Sequence, residues 1–475
     1  MSARLGLFII IGVTLWRVLA LHFDTTDLFV DEAQYWFWSQ NLDFGYYSKP
    51  PMIAWVIRAM TELSGSSAIF WIRICGPLIH MATALALMKT AKRFAGPEIA
   101  GWTGVTFITL PGVALSSVFF STDDILLFFL AVALWAYFGL TQKRSIALAL
   151  VMGITFGCAF LSKYAILFVV PGGLIALILL QNARIAWRDF FVSVAAAIAV
   201  ALPNLWWNLR NDNTTIKHTE TIANWSKLHI DLSGGLEFFA AQFGVVGPVI
   251  FFAILWAAYR ALKGQSDNRE KLLIWLSVPI VLLITFQALI AKAYANWGVT
   301  AYVAGTILAV WLLYRVWPKG LRISLVINGI TSFLFPLAAI FAHQIVLPNG
   351  SEVMKRYLGR SEISREASEL AKQAGTAVIV SDSRDIVADM FHTLREQPYR
   401  IYARTPAGSP NNYYEQEFAL PSDVRDKVLF VTTQPLACTE ETPETVKTWQ
   451  PASGYYKRKT VYAYKVFPAC LARQT

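Results

Sequence analysis

The sequence predicts a polytopic α-helical membrane protein with a small α/β domain at its C-terminal end. Three observations predict it. First, 56% of the 475 residues are apolar and only 15% are charged, against roughly 25% charged in soluble domains. Second, the chain contains about eleven apolar runs close to the roughly twenty residues needed to cross a bilayer. Third, the composition turns polar and mixed after Pro348.

The runs fall roughly at residues 5–22, 68–88, 98–118, 124–140, 146–162, 164–180, 190–207, 237–259, 273–291, 297–314 and 323–347. The first follows Arg4 and resembles a signal peptide, but no small-x-small cleavage site follows it, so it reads as the first span. Residues 50–66 and the WFWSQNL segment are shorter and amphipathic, and are expected to lie on the membrane surface. Basic residues collect in alternate links: Lys89, Lys92 and Arg93; Lys143 and Arg144; Arg184 and Arg188; Arg260, Lys263, Arg269 and Lys271; Arg315, Lys319 and Arg322. The positive-inside rule makes these links cytoplasmic. The loops 23–67 and 208–236, the turns 119–123, 162–164 and 292–296, and the tail then face outward. Within the tail, GTAVIVSDS reads as a buried strand ending in a turn and DIVADMFHTLREQ as an amphipathic helix. YRIYAR, KVLFVTT and KTVYAYKVF read as further strands. Two domains are expected, 1–348 in the membrane and 349–475 as an outer α/β domain.

The net charge of +10 does not indicate a nucleic-acid partner, because the basic residues lie mostly in the links. Cys75 and Cys158 lie in apolar runs and read as packing residues. Cys438 and Cys470 lie in the polar tail, where an oxidising compartment would let them form a disulfide. Their spacing fits no zinc pattern.

The chemistry concentrates at the outward edges. The stretch from Val30 to Pro51 carries Asp31, Glu32 and Lys49, with Tyr35, Trp36, Phe37, Trp38, Tyr46 and Tyr47 between. Asp123 and Asp124 sit in FFSTDDILLFF and Lys163 in FLSKYAILF. Arg210 follows PNLWWN, and Lys292 precedes the group Tyr294, Asn296 and Trp297. Each has a plain structural reading. Asp31, Asp123 or Asp124 suit a helix first turn, Lys163 and Lys292 suit snorkelling helix ends, and the aromatic residues suit interfacial anchoring. Asp382, Ser383 and Arg384 read either as a turn and helix start or as contacts to an acceptor headgroup. Ionisable groups at a membrane edge are costly, and so many on one face point to a site. A carboxylate can act as general base toward a hydroxyl, and lysine or arginine can hold a departing phosphate. No Gly-rich loop ending in GK[ST] is present, so a transferred group must arrive already activated, as on a lipid phosphate.

An Asp-Glu pair in the first outer loop, then SKPPMIAW, then STDDILLFF, resembles the GT-C glycosyltransferases, and more narrowly the bacterial branch of the protein mannosyltransferase superfamily. PNLWWNLRNDNTTIKHT and AYANWGVTAYV are most similar to the rhizobial lipopolysaccharide galacturonosyltransferases; the aminoarabinose transferases of lipid A are more distant. The resemblance implies an inner-membrane enzyme with a periplasmic site. It would move a sugar, first of all galacturonic acid, from a polyprenyl monophosphate to lipid A or a lipopolysaccharide core, inverting the anomeric carbon. Asp31 would be the base and Asp123 the second acid, with Asp124 as fallback. Lys49 and Lys163, with Arg210, would bind the donor phosphate. Glu32, Gln34, Tyr35, Tyr46, Tyr47, Asn296 and Trp297 would support or line the site. Besides substrates, the expected partners are membrane lipids, and no cofactor or divalent metal is obligatory. One departure stands out: the aminoarabinose enzymes carry arginine three residues after the first acid, where this chain has Gln34. The rivals are a protein O-glycosyltransferase of the same superfamily and, with charges at one edge and no repeat against it, a transporter of lipid-linked sugars.

Overall fold

The computed structural model describes residues 1–223, 230–438 and 441–471. The chain forms two compact units, both discontinuous in sequence. The membrane unit comprises Met1–His22, Asp43–Val56 and Arg73–Pro336. The α/β unit comprises Phe23–Leu42, Ile57–Ile72 and Leu337–Thr475.

In the membrane unit every apolar run becomes a helix or a helix pair. Among the described residues six helices are long and apolar enough to cross a membrane, or seven if one bent pair counts as a span. Shorter apolar helices run over Ile146–Ser162, Tyr164–Leu179 and Ala301–Val316. Two runs are not the straight spans the pattern suggests. Residues 98–118 divide into Pro97–Thr109 and Pro111–Ser116. The 237–259 run divides into Leu232–Val246 and Pro248–Leu262, bent by 117°. Gly247 makes that bend with φ +85°, and a Cβ there would meet Asn328 Oδ1 at 2.0 Å, so only glycine fits. The break at Pro111 frees the carbonyl of Ile108 inside an apolar bundle. Buried Arg17 fills that need: its Nη2 donates to Ile108 O at 2.6 Å and to Ser332 Oγ at 2.8 Å, and its Nη1 to Ser117 Oγ at 2.9 Å. With no water to take its place, such a carbonyl must find a protein donor.

The α/β unit holds a mixed sheet of β1 (Val378–Ser381), β2 (Arg400–Ala403), β3 (Val428–Thr432), β4 (Glu444–Trp449) and β5 (Val461–Val466). The order is β2-β1-β3-β5-β4, parallel across the first three strands and antiparallel over the rest. β1 and β3 are buried at every residue, as the continuous apolar runs predict. Cys438 and Cys470 form a disulfide beside the sheet.

The loop segment Phe23–Leu42 belongs to this unit through two devices. Asp27 caps the helix Arg360–Ala374: its Oδ2 accepts from the backbone N–H of Arg360 at 2.9 Å and of Ser361 at 3.3 Å. These are orphan donors at the positive end of a helix dipole. The helix Val30–Ser39 then packs on Arg384–Thr393 through Phe37 on Phe391 (ring centroids 4.2 Å apart) and Trp36 edge-on to His392 (4.7 Å). Much of the apolar face of WFWSQNL is therefore covered by protein. Tyr35, Trp36 and Trp38 are buried in a protein core, and amphipathic patterning alone does not distinguish protein from lipid as the apolar partner.

Candidate active site

The membrane unit presents two neighbouring groups of predicted residues. The first is the turn that carries Lys49. Asn204 Nδ2 donates to Phe44 O at 2.7 Å, Thr215 Oγ1 to Tyr46 O at 2.6 Å, and Trp207 Nε1 to Asp43 Oδ2 at 2.7 Å. Tyr46 N donates to Lys49 O at 3.1 Å, which closes the turn. Gly45 lets the backbone lie on Trp207, where a Cβ would come within 2.4 Å of the ring. Tyr46 is buried and its hydroxyl accepts from Asp43 N at 3.0 Å. Burial pushes its phenol up to about 12, so it serves as a neutral group. The Tyr47 ring lies 4.8 Å from His218. Lys49 is thus half-buried at the end of a pinned turn.

The second group is built on Asp123. Its Oδ1 accepts from Lys163 Nζ at 2.7 Å and its Oδ2 from Asn296 Nδ2 at 2.8 Å. Three sequence-distant turns therefore meet at one carboxylate. Asp124 is the structural member of the pair. It is fully buried, its Oδ2 accepts from Ser121 N at 2.8 Å in a capping box, and its Oδ1 lies 3.1 Å from His80 Nε2. His80 Nε2 also meets Ser116 Oγ at 2.8 Å. The cap and His80 fix the first turn of the Thr122–Leu140 helix, and that sets Asp123 toward Lys163 and Asn296. Beside Lys163, the Tyr164 hydroxyl donates to Asn204 Oδ1 at 2.8 Å and accepts from Asn208 Nδ2 at 3.0 Å. Tyr164 thus connects the Lys163 turn to the helix that pins the Lys49 turn. Asn204 and Asn208, four residues apart in an apolar helix, give the sequence signal for this polar face.

Arg210 stands elsewhere on that helix. It is exposed and its guanidinium stacks on Trp206, 4.8 Å from the ring centroid. No hydrogen bond or ion pair among the described residues joins it to Lys163. Lys292 Nζ lies over the Tyr294 ring, 4.7 Å from its centroid. Trp297 lies 5.8 Å from Tyr294 and packs on the bundle core.

The α/β unit holds the remaining predicted residues. Glu32 is buried and its Oε2 accepts from Phe29 N at 2.9 Å, closing the capping box of the Val30–Ser39 helix. Asp31, one residue earlier, has a side chain 43% exposed. Its Oδ1 accepts from Arg384 Nη2 at 2.7 Å. Buried Gln34, one turn on, accepts from Arg384 Nε at 3.0 Å and Nη2 at 2.8 Å. Tyr35 is buried against Trp38, with ring centroids 5.5 Å apart. Arg384 begins its helix just after the N-cap Ser383. Ser383 Oγ donates to Asp385 Oδ1 at 2.6 Å, and Arg360 Nε lies 3.1 Å from Asp385 Oδ2. Burial raises the Asp385 carboxyl's pKa, but Arg360, Ser383 and Tyr456 outweigh that and hold it below the usual value. Asp382 Oδ2 accepts from Thr432 Oγ1 at 2.9 Å. The strand–turn–helix reading of Asp382, Ser383 and Arg384 is what the backbone does, while the Arg384 side chain goes to Asp31. Among the described residues no three His, Cys, Asp or Glu side chains cluster as metal ligands.

The whole chain superposes on the crystal structure of ArnT from Cupriavidus metallidurans bound to undecaprenyl phosphate. The TM-score is 0.68 at 14% identity, covering 100% of both chains. The family model for dolichyl-phosphate-mannose-protein mannosyltransferase matches residues 48–207. The fold is therefore that of the GT-C membrane glycosyltransferases, and the chain is a multi-pass membrane glycosyltransferase of the protein mannosyltransferase superfamily. Within it, the chain belongs to the family of the Rhizobium johnstonii lipid A galacturonosyltransferase RgtD, to which it is 72% identical over 99% of its own length and 100% of the relative's. It is also 23% identical to the lipopolysaccharide core galacturonosyltransferase RgtB of that organism, over 54% of this chain and 55% of the relative.

Proposed function

We propose that the chain transfers galacturonic acid from a polyprenyl monophosphate to lipid A on the periplasmic face of the inner membrane, inverting the anomeric carbon. The observation that carries this reading is the end-to-end 72% identity to a lipid A galacturonosyltransferase. The likeness to an undecaprenyl-phosphate-bound ArnT supports a fold able to house such a donor. The family model is named for protein mannosyltransferases but matches only residues 48–207, so lipid A is preferred over a protein acceptor.

In this reading Asp31 takes the proton of the acceptor hydroxyl as the oxygen attacks the anomeric carbon. The bond from that carbon to the phosphate oxygen breaks, and its electron pair leaves with the phosphate. Lys49 and Lys163 stabilise the charge that develops there. Asp123 holds Lys163 in place and, with Asn296, orients a sugar. Where the acceptor is instead an ionised phosphate, no base is needed and Asp31 positions it. A monophosphate leaving group between two lysines has no obligatory need of a divalent ion.

The test is Asp31→Asn in membranes supplied with labelled galacturonosyl polyprenyl phosphate, with lipid A and an acceptor protein competing. Loss of label from lipid A supports the reading. Wild-type transfer by the variant sinks the assignment of Asp31, and label on protein sinks that of the acceptor.

A further inference from the structure

Arg384 comes from the α/β unit and contacts the acid proposed as the base, yet nothing in the transfer chemistry above uses it. Its guanidinium is held by one edge. Nε and Nη2 are committed to Gln34 Oε1, and Nη2 also to Asp31 Oδ1. Nη1 has no hydrogen-bond partner among the described residues, and the side chain remains 36% exposed. Gln34 is buried and fixed, so the guanidinium plane is set before any ligand arrives. A second polar group nearby is also unused. The Tyr414 hydroxyl is buried with no hydrogen-bond partner among the described residues, within electrostatic reach of both Arg384 and Asp31. A buried orphan hydroxyl is costly unless something fills it.

We propose that Arg384 is the substrate-binding residue that recognises the carboxylate of the uronic acid being transferred, with Asp31 as its partner until the sugar arrives. The proposal rests on the galacturonosyltransferase reading and names the group that makes it sugar-specific. In an inverting displacement the base and the leaving group lie on opposite faces of the anomeric carbon. A cation bonded to the base is therefore badly placed for the departing phosphate. It is well placed for a carboxylate carried on the same sugar ring, and a guanidinium edge matches a carboxylate in shape and charge. Exchanging Asp31 for the sugar carboxylate also releases Asp31 from its ion pair, which makes it a stronger base only when the right donor is bound.

The test compares galacturonosyl and galactosyl polyprenyl phosphates as donors for the wild type, Arg384→Gln and Arg384→Lys. Wild type should prefer the galacturonosyl donor, and Arg384→Gln should lose that preference by about 10- to 100-fold, the worth of one charged hydrogen-bonded contact. Arg384→Lys should retain part of it. Equal loss with both donors would overturn the inference while leaving the function standing, because it would show that Arg384 only positions Asp31. Absence of galacturonosyl transfer by the wild type would overturn the function itself, and the inference with it. Independently of any variant's folding, galacturonic acid 1-phosphate should raise the melting temperature of the detergent-solubilised wild type more than galactose 1-phosphate does. Equal shifts would mean that phosphate, not carboxylate, is the bound anion, and would also overturn it.

Discussion

Replacing Lys163 by methionine removes the ammonium from Asp123 while keeping a side chain of similar length. The two side chains are only 15% and 11% exposed and their charged atoms are 2.7 Å apart. At an effective dielectric of 20, that separation corresponds to about 6 kcal/mol of gross attraction. Desolvation of both ions takes back a large share, and breaking a buried pair typically costs about 3–5 kcal/mol. Asp123 keeps its bond from Asn296 Nδ2 at 2.8 Å, so Lys163→Met should cost about 2–4 kcal/mol of stability. Asp123→Asn strands the lysine and should cost a similar amount, whereas the double variant removes both charges. The two single costs should therefore exceed the double cost by about 2 kcal/mol. Unfolding of the detergent-solubilised protein, scored for the four members of the cycle, measures that coupling. Additivity within about 0.5 kcal/mol would refute the claim that these residues form one unit. It would return Lys163 to the role of an interfacial anchor.

Three further outcomes follow from the α/β unit. Asp27→Ala uncaps the Arg360–Ala374 helix and should cost about 1–2 kcal/mol, read as faster hydrogen exchange in that helix and in Val30–Ser39. Asp389 accepts from Ser364 Oγ at 2.6 Å and Thr393 Oγ1 at 2.8 Å. Its pKa is raised from 3.8 to about 7, by burial first and then by Asp27. The folded form keeps a proton that the unfolded chain has lost, so this group makes stability fall as pH rises from about 4 to 7 and level off above. Asp389→Asn can keep both hydrogen bonds and should flatten that slope, with its gain greatest at pH 7 and above; an unchanged melting profile across this range would contradict it. The disulfide Cys438–Cys470 spans 32 residues, and Cys438→Ser with Cys470→Ser should lower stability by about 2–4 kcal/mol, measured as a fall in melting temperature that reductant reproduces in the wild type.

The membrane helices were legible because lipid leaves little freedom: a run of apolar residues near twenty long has few other uses. The capping role of Asp124 was also within reach, since Ser121 followed by an acid three residues on is a capping box. Other features lay beyond local pattern. Arg384 and Asp31 are separated by 353 residues, and their helices meet through the packing of Phe37 on Phe391 and of Trp36 on His392. Asp27 reads as an ordinary loop acid until the helix it caps is in place. Gln34 is where the loop departs from the aminoarabinose enzymes, and Arg210 is the cation expected at the donor phosphate. The structure instead stacks Arg210 on Trp206 and brings Arg384 to Gln34. The Gly247–Pro248 bend was visible as residues, but the continuous apolar run outweighed it in the pattern.

The most direct test of the proposed function is mass spectrometry of lipid A from cells lacking this chain, before and after its restoration. The proposal predicts lipid A short of one hexuronic acid in the deletion, restored by the wild type and not by Asp31→Asn. Lipid A of unchanged mass in the deletion, or restoration by Asp31→Asn as complete as by the wild type, would contradict it.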